Sequence, residues 1–185
     1  DTIVLDLGAN FGQMSILWSK CKPGVKVYAF EASKYVFNIL KKNIHANSAN
    51  VKPINALVGN ETNKEQLIEK SFLKEYSTYG TNKINKIQNS NKKNTDKIKA
   101  IKIDDLNFEK KISAMKIDVQ GYDLDALKGS KKTILNYKMP IIFEYEEKFE
   151  KEFNYTFRDF ENFINEINYK IETKIDEINY LIVPK

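Results

Sequence analysis

Along the chain, short runs of β-branched and aromatic residues alternate with stretches whose apolar positions recur every three or four residues. Runs of the first kind predict buried strands, and stretches of the second kind predict helices laid against a sheet. Residues 2–7 open the pattern as a strand. Residues 12–20 follow as a helix with Met14, Ile16, Leu17 and Trp18 as its apolar faces, and Pro23-Gly24 punctuates its end. Residues 25–31 are a second strand. Over residues 34–47 the stripe Val36, Phe37, Leu40 and Ile44, with Ile39 beside it, predicts a helix, and residues 51–57 a third strand.

Between residues 59 and 96 the periodicity fails. Residues 66–76 are expected to be helical, and the Asn/Lys/Ser-rich stretch at about 78–97 reads as a flexible insertion at the surface. Strand patterns resume at 98–103 and 114–119. A helix is expected over 123–136 despite Gly129, a strand over 140–145, and Phe157, Phe160, Phe163, Ile164 and Ile167 mark a helix over 157–167. Two last runs, 169–174 and 179–183, lie too close together for a parallel return, which needs a dozen or more residues, so they are expected to pair as an antiparallel hairpin.

This alternation predicts an α/β fold, a doubly wound parallel sheet with helices on both faces. A chain of 185 residues fits one domain, 1–185, able to bury about 70 % of its unfolded surface. With 42 % hydrophobic and 30 % charged residues the composition is that of a globular protein, and no run reaches the length of a membrane span. The chain opens directly on a strand pattern without a signal-peptide pattern, and Cys21 is its single cysteine, so a cytoplasmic location is expected. The net charge of +5 raises the question of nucleic acid. The lysines are scattered or gathered in residues 82–99, and Arg158 is the only arginine, which makes a nucleic-acid partner the weaker alternative.

The chemistry concentrates in Val4-Leu5-Asp6-Leu7-Gly8-Ala9-Asn10-Phe11-Gly12, where a buried strand runs into a glycine loop and a helix begins. Glycines let the backbone approach a ligand closely, and the helix start offers unpaired N–H groups. Glu31, at the end of the second strand, is placed to accept hydrogen bonds from two ribose hydroxyls at the switch point of the sheet. Asn10 stands where the middle glycine of a dinucleotide fingerprint belongs, so a pyrophosphate would meet a side chain. A nucleoside without phosphate, S-adenosylmethionine, fits better.

The blocks Asp6-Leu7-Gly8-Ala9-Asn10-Phe11-Gly12, Val27-Tyr28-Ala29-Phe30-Glu31 and Lys116-Ile117-Asp118-Val119-Gln120-Gly121 resemble the FkbM-type family of S-adenosylmethionine-dependent methyltransferases. Ile103-Asp104-Asp105-Leu106, Leu127-Lys128-Gly129 and Ile141-Ile142-Phe143-Glu144 extend the resemblance to about residue 147. It implies a seven-stranded class I methyltransferase (Rossmann-like) sheet in the order 3-2-1-4-5-7-6, the last strand antiparallel. It also implies methylation of an oxygen on a small-molecule or glycan acceptor, as in polysaccharide biosynthesis. Carried over, Asp6, Gly8, Asn10 and Gly12 line the methionine end, Glu31 holds the ribose, Asn55 and Ala56 meet adenine, and Asp118 lies next to the methyl donor. Two departures stand out. Gln120 replaces the Glu common in that block, and the helical segment that precedes the first strand in the family is missing, which would fit a fragment.

A sugar hydroxyl is a weak nucleophile, so a base or a metal is expected beside it. His45, the only histidine, sits on a helix face expected to meet solvent. Asp118 and Glu144 close neighbouring strands on the same edge and are the stronger candidates. They could take the proton, or together hold a magnesium or manganese ion, which oxygen ligands prefer over zinc. The plainer alternatives are a loop-orienting role for Asp118 and a solvated acidic turn for Glu144, Glu146 and Glu147. Tyr76, Tyr79 and Tyr145 could stack on a sugar under the long loop acting as a lid. Against the sugar O-methyltransferase stand a nucleic-acid methyltransferase, which the absence of an Asn/Asp-Pro-Pro-Tyr motif disfavours, and a non-catalytic cofactor-binding or scaffold protein, which Gln120 makes thinkable.

Overall fold

A run such as Thr2–Leu7, apolar at four of six positions, suits a strand covered on both sides, and it forms β1 at the middle of the sheet. The computed structural model describes residues 1–69, 84–85 and 95–185. After β1 come α1 (Gln13–Cys21), β2 (Val25–Glu31), α2 (Lys34–Ala46) and β3 (Val51–Asn55). The strands β4 (Leu57–Val58), β5 (Glu65–Glu69), β6 (Ile84–Asn85) and β7 (Thr95–Ile101) form a second sheet in the order β4-β7-β5-β6. A 3₁₀ turn at Ile103–Asp105 leads to β8 (Ile112–Ile117), α3 (Asp123–Lys128), α4 (Lys131–Tyr137) and β9 (Ile141–Glu144). A second turn at Glu147–Phe149, α5 (Glu150–Phe153) and α6 (Phe157–Glu166) precede β10 (Tyr169–Lys174) and β11 (Asn179–Pro184).

The large sheet has seven strands in the order β3-β2-β1-β8-β9-β11-β10. The five from β3 to β9 are parallel, and β11 runs antiparallel to both β9 and β10, which gives the terminal hairpin. Four strands of the second sheet intervene between β3 and β8, a feature absent from the expected single sheet. Alternate residues of β2 serve different clusters: Tyr28 and Phe30 join the main core, while Ala29 packs with Ala9 and Leu40. Successive side chains of a strand point to opposite faces, so the sheet is covered on both. Phe143 of β9 stacks on Phe160 of α6 at 5.1 Å between centroids.

Several boundaries differ from the sequence pattern, each for a local reason. Helix α1 buries only Ser15, with Met14 37 % and Leu17 54 % exposed, because the Ser15 hydroxyl is drawn against the carboxylate of Asp6. Strand β3 stops at Asn55 and Leu57 crosses to pair with Ala100, so the expected strand 51–57 is divided between two sheets. Pro53 is tolerated because β3 is an edge strand. The helix expected at 66–76 is replaced at its start by β5, antiparallel to β7, and residues 70–76 lie outside the described ones. Of the insertion expected at 78–97, residues 84–85 and 95–97 are strand, and the rest likewise lies outside.

The helix expected over 123–136 breaks at Gly129. A Cβ there would stand 2.0 Å from the carbonyl oxygen of Gly59, so the main chains touch, and the chain restarts as α4. Asp104 supplies the missing cap, its carboxylate accepting from Lys132 N at 2.9 Å and Thr133 N at 2.8 Å. Among the described residues, no helix is long and apolar enough to cross a membrane.

Candidate functional site

In an open parallel sheet the ligand crevice lies outside the carboxyl ends of the strands. Here β1, β2, β8 and β9 bring Gly8, Glu31, Asp118 and Glu144 to that edge. Gly8 has φ 84°, and a Cβ on it would lie 1.8 Å from the carbonyl oxygen of Asp118, so the loop after β1 and the chain after β8 meet backbone to backbone. Gly8 N and Ala9 N both donate to Phe30 O, at 2.9 and 2.8 Å. Asn10 takes φ 51°, a left-handed torsion asparagine tolerates, and Gly12 caps α1.

Glu31 ties this loop to the next helix. Its Oε2 accepts from Asn10 N at 2.9 Å and its Oε1 from Ser33 N at 2.8 Å, while Ser33 Oγ caps α2. Burial pushes the Glu31 carboxyl up to about 7, with the two N–H bonds pulling the other way and the charges of Asp118 and Asp6 adding to the rise. Asn55 Nδ2 donates to the carbonyls of Glu31 at 2.8 Å and Ala32 at 3.0 Å, which binds the ends of β2 and β3 together, and Ala56 is buried beside them.

Asp6 is completely buried. It holds Ser15 through Oδ2 and lies 3.8 Å from Lys116 Nζ through Oδ1, so it anchors α1 beneath the loop instead of presenting itself to the crevice. Burial raises its pKa against the opposing pull of Lys116 and Ser15.

Asp118 follows directly on β8, and its N–H donates to Leu7 O at 2.9 Å. Its Oδ2 accepts from Lys116 Nζ at 3.0 Å and its Oδ1 from Gln120 Nε2 at 3.0 Å. Burial pushes this carboxyl up, but the Lys116 ammonium and the bond from Gln120 outweigh it, and its pKa falls below the usual aspartate value. Burial pulls the Lys116 ammonium down, and Asp6 and Asp118 more than restore it. Gln120 Nε2 also lies 3.3 Å from Glu144 Oε2. Burial and the nearby charges of Asp118 and Asp123 push Glu144 up to about 9. The arrangement therefore places an ionised carboxylate, Asp118, beside a protonated one, Glu144.

The turn between them is pinned by Asp123, whose carboxylate accepts from Val119 N at 3.4 Å and Gly121 N at 3.1 Å. Burial and Asp118 push Asp123 up to about 7. Among the described residues, no group of three or more His, Cys, Asp or Glu side chains is placed to hold a metal ion. Asp118 and Glu144, the expected pair for magnesium or manganese, hydrogen-bond each other and both lie against the amide nitrogen of Gln120.

His45 is exposed on α2. Tyr145, expected in a stacking wall, is buried against Phe157 and Phe160, with its hydroxyl on Glu150, and Tyr76 and Tyr79 lie outside the described residues. Sequence reasoning assigned no role to Ser15, Lys116 or Asp123. The signal for Lys116 was a lysine between Met115 and Ile117 in an apolar strand, since buried lysines are rare unless paired.

The family model described as the methyltransferase FkbM domain matches residues 6–171. Among solved structures, methyltransferase FkbM from Methylobacillus flagellatus KT superposes with a TM-score of 0.63 at 19 % identity, over 98 % of this chain and 43 % of that one. The chain thus spans less than half the length of that structure. A ribosomal protein L11 methylase from Lactobacillus delbrueckii subsp. bulgaricus gives 0.56 at 13 % identity, over 99 % of this chain and 70 % of that one. Precorrin-6y C5,15-methyltransferase from Geobacter metallireducens GS-15 gives 0.55 at 14 %, over 98 % and 78 %. At such identities these likenesses bear on the fold. No curated protein gives a significant match.

Proposed function

The chain belongs to the methyltransferase FkbM domain family, and from that membership we propose that it transfers a methyl group from S-adenosylmethionine to a hydroxyl oxygen of a sugar, a polysaccharide or a related small molecule. The observation that carries this reading is the backbone contact between Gly8 and Asp118. It sets the loop suited to a nucleoside ligand directly against the main chain of Asp118, the residue whose carboxylate we assign to take the proton.

The residues present fit the cofactor. The loop of Gly8, Asn10 and Gly12 would hold the methionine end, and only glycine leaves room at position 8. Glu31 would accept the ribose hydroxyls with the lone pairs its two backbone bonds leave over. Asn55 and Ala56 would border adenine. Bound there, S-adenosylmethionine supplies an electrophilic methyl group on a sulfonium centre.

This chain's own residues supply the rest. Asp118, kept ionised by Lys116, would accept the proton of the acceptor hydroxyl as that hydroxyl's oxygen bonds the methyl carbon and the methyl–sulfur bond breaks, the sulfur leaving as a neutral thioether. Glu144, protonated, spares Asp118 a second negative charge. The loop and the Asp118 edge meet backbone to backbone, so the segments that would hold the two reactants adjoin.

A transfer assay with methyl-labelled S-adenosylmethionine against nucleotide-sugars and cell-surface glycans, with and without chelator, tests the reading. Label is expected in a base-stable ether on the glycan, and transfer is expected to survive the chelator because an amide nitrogen bridges the carboxylate pair. Label confined to RNA or protein, or binding without transfer, would overturn it.

A further inference from the structure

Gln120 has a left-handed backbone, φ 53°, and Gly121 follows at φ 92°. Such a torsion is unfavourable for a side-chain-bearing residue, and here the carboxylate of Asp123 holds the turn in place. The turn carries the amide nitrogen of Gln120 between two carboxylates, 3.0 Å from Asp118 Oδ1 and 3.3 Å from Glu144 Oε2. With its nitrogen held from two sides the amide plane is fixed, and Oε1 is fixed with it. That oxygen is buried and accepts no hydrogen bond. A buried amide carbonyl left in this state is destabilising, and an incoming donor relieves it.

The neighbouring groups restrict what the donor can be. Asp118 and Asp123 offer oxygens, the proton on Glu144 is shared with Asp118, and the Lys116 ammonium is held by Asp118 and Asp6. A phosphate or carboxylate would bring more acceptors and more negative charge to acceptors already in place. A neutral hydroxyl brings the proton the carbonyl lacks.

We propose that Gln120 is an acceptor-binding residue, whose Oε1 receives a hydroxyl next to the one that is methylated and which selects neutral polyhydroxylated acceptors over those carrying phosphate or carboxylate beside the reacting carbon. The proposal rests on the Asp118 edge being the place of methyl transfer. Donor hydrogens of the same kind also occur on the amino group of S-adenosylmethionine, so cofactor and acceptor must be measured separately.

The test compares the full chain with Gln120→Met, similar in length but without the carbonyl, and Gln120→Asn, which keeps the amide and suits a left-handed backbone. Labelled methyl transfer is followed to methyl α-D-glucopyranoside, methyl α-D-mannopyranoside and methyl β-D-galactopyranoside, and to their 6-phosphate and uronic-acid counterparts. Calorimetry gives the affinity for S-adenosylmethionine, and melting curves confirm folding. Gln120→Met is expected to raise KM for the neutral glycosides about tenfold with cofactor affinity unchanged, and Gln120→Asn to fall between it and the native chain. Native preference for phosphorylated or carboxylated glycosides, an unchanged KM in Gln120→Met, or a matching loss of cofactor affinity would overturn the role of Gln120 while leaving methyl transfer intact. Failure of the native chain to use any of the glycosides would instead remove the sugar-hydroxyl reading, and the proposal with it.

Discussion

The backbone N–H of Asn10 donates to Glu31 Oε2 at 2.9 Å, joining the loop after β1 to the end of β2 across 21 positions of sequence. The other carboxylate oxygen takes the N–H of Ser33 at 2.8 Å, at the start of α2. Glu31 therefore shapes the loop while retaining acceptor capacity toward the crevice. Glu31→Ala is expected to weaken S-adenosylmethionine binding by about 1.5–3 kcal/mol, the range for hydrogen bonds to a charged group. Calorimetry showing an unchanged affinity would remove the ribose role.

Stability should depend on pH in an unusual direction. Burial, first of all, raises Glu31 and Asp123 to about 7 and Glu144 to about 9, from ordinary values of 4.5, 3.8 and 4.5. Between those limits the folded chain binds more protons than the unfolded one, so stability falls as pH rises, by about 3 kcal/mol for Glu31 alone. Asp118, whose pKa is lowered, adds stability above its ordinary 3.8 and loses it only on acidification. The contribution of Lys116, whose pKa is raised, is complete below 10.5 and disappears only in stronger base. Neither opposes the trend between pH 5 and 8. The ligand-free protein is expected to melt at a higher temperature at pH 5 than at pH 8, and the reverse order in thermal scans would contradict this account of the buried acids.

Asp118→Asn keeps the shape of the side chain and removes its basicity. Loss of a positioned base costs about 10²–10⁴ in rate. Turnover in the transfer assay is expected to fall in that range, with cofactor affinity little altered because Glu31 and the glycine loop are untouched. Equal losses in both would make Asp118 a loop-orienting residue.

Strand β1, its glycine loop and Glu31 were legible in the sequence because each is a local signal: an apolar run, residues that accept left-handed torsions, an acid at a strand end. The hairpin of β10 and β11 was legible from the shortness of its connection. What escaped depends on partners far away in the chain. Ser15 counts as polar in any pattern, yet it is fully buried because it bonds Asp6. Gly129 breaks a helical period because Gly59 lies against it. Strand β5, EQLIE, shows little apolar alternation and is defined by its pairing with β7. Gln120 looked like a departure from a family pattern, and only the fold shows its amide between two carboxylates.

Lys116 offers the sharpest check on the electrostatics. It stands opposite Asp6 in the neighbouring strand, with Nζ 3.8 Å from Asp6 Oδ1 and 3.0 Å from Asp118 Oδ2, and only 17 % of its side chain is exposed. Lys116→Met preserves length and apolar bulk but leaves two acids in low-dielectric surroundings without a cation. Breaking a buried pair in this way costs about 3–5 kcal/mol. The acids can escape part of that cost by taking up protons, so the destabilisation should be largest at pH 8 and smaller at pH 5. Adding Asp118→Asn removes one uncompensated charge and should return part of the loss, a coupling that a double-mutant cycle of melting free energies measures directly. Any activity left in Lys116→Met should need higher pH than in the native chain, because without the ammonium Asp118 holds its proton more tightly. If Lys116→Met is as stable as the native chain at pH 8, or if the second substitution returns nothing, Lys116 is not what keeps Asp118 ionised.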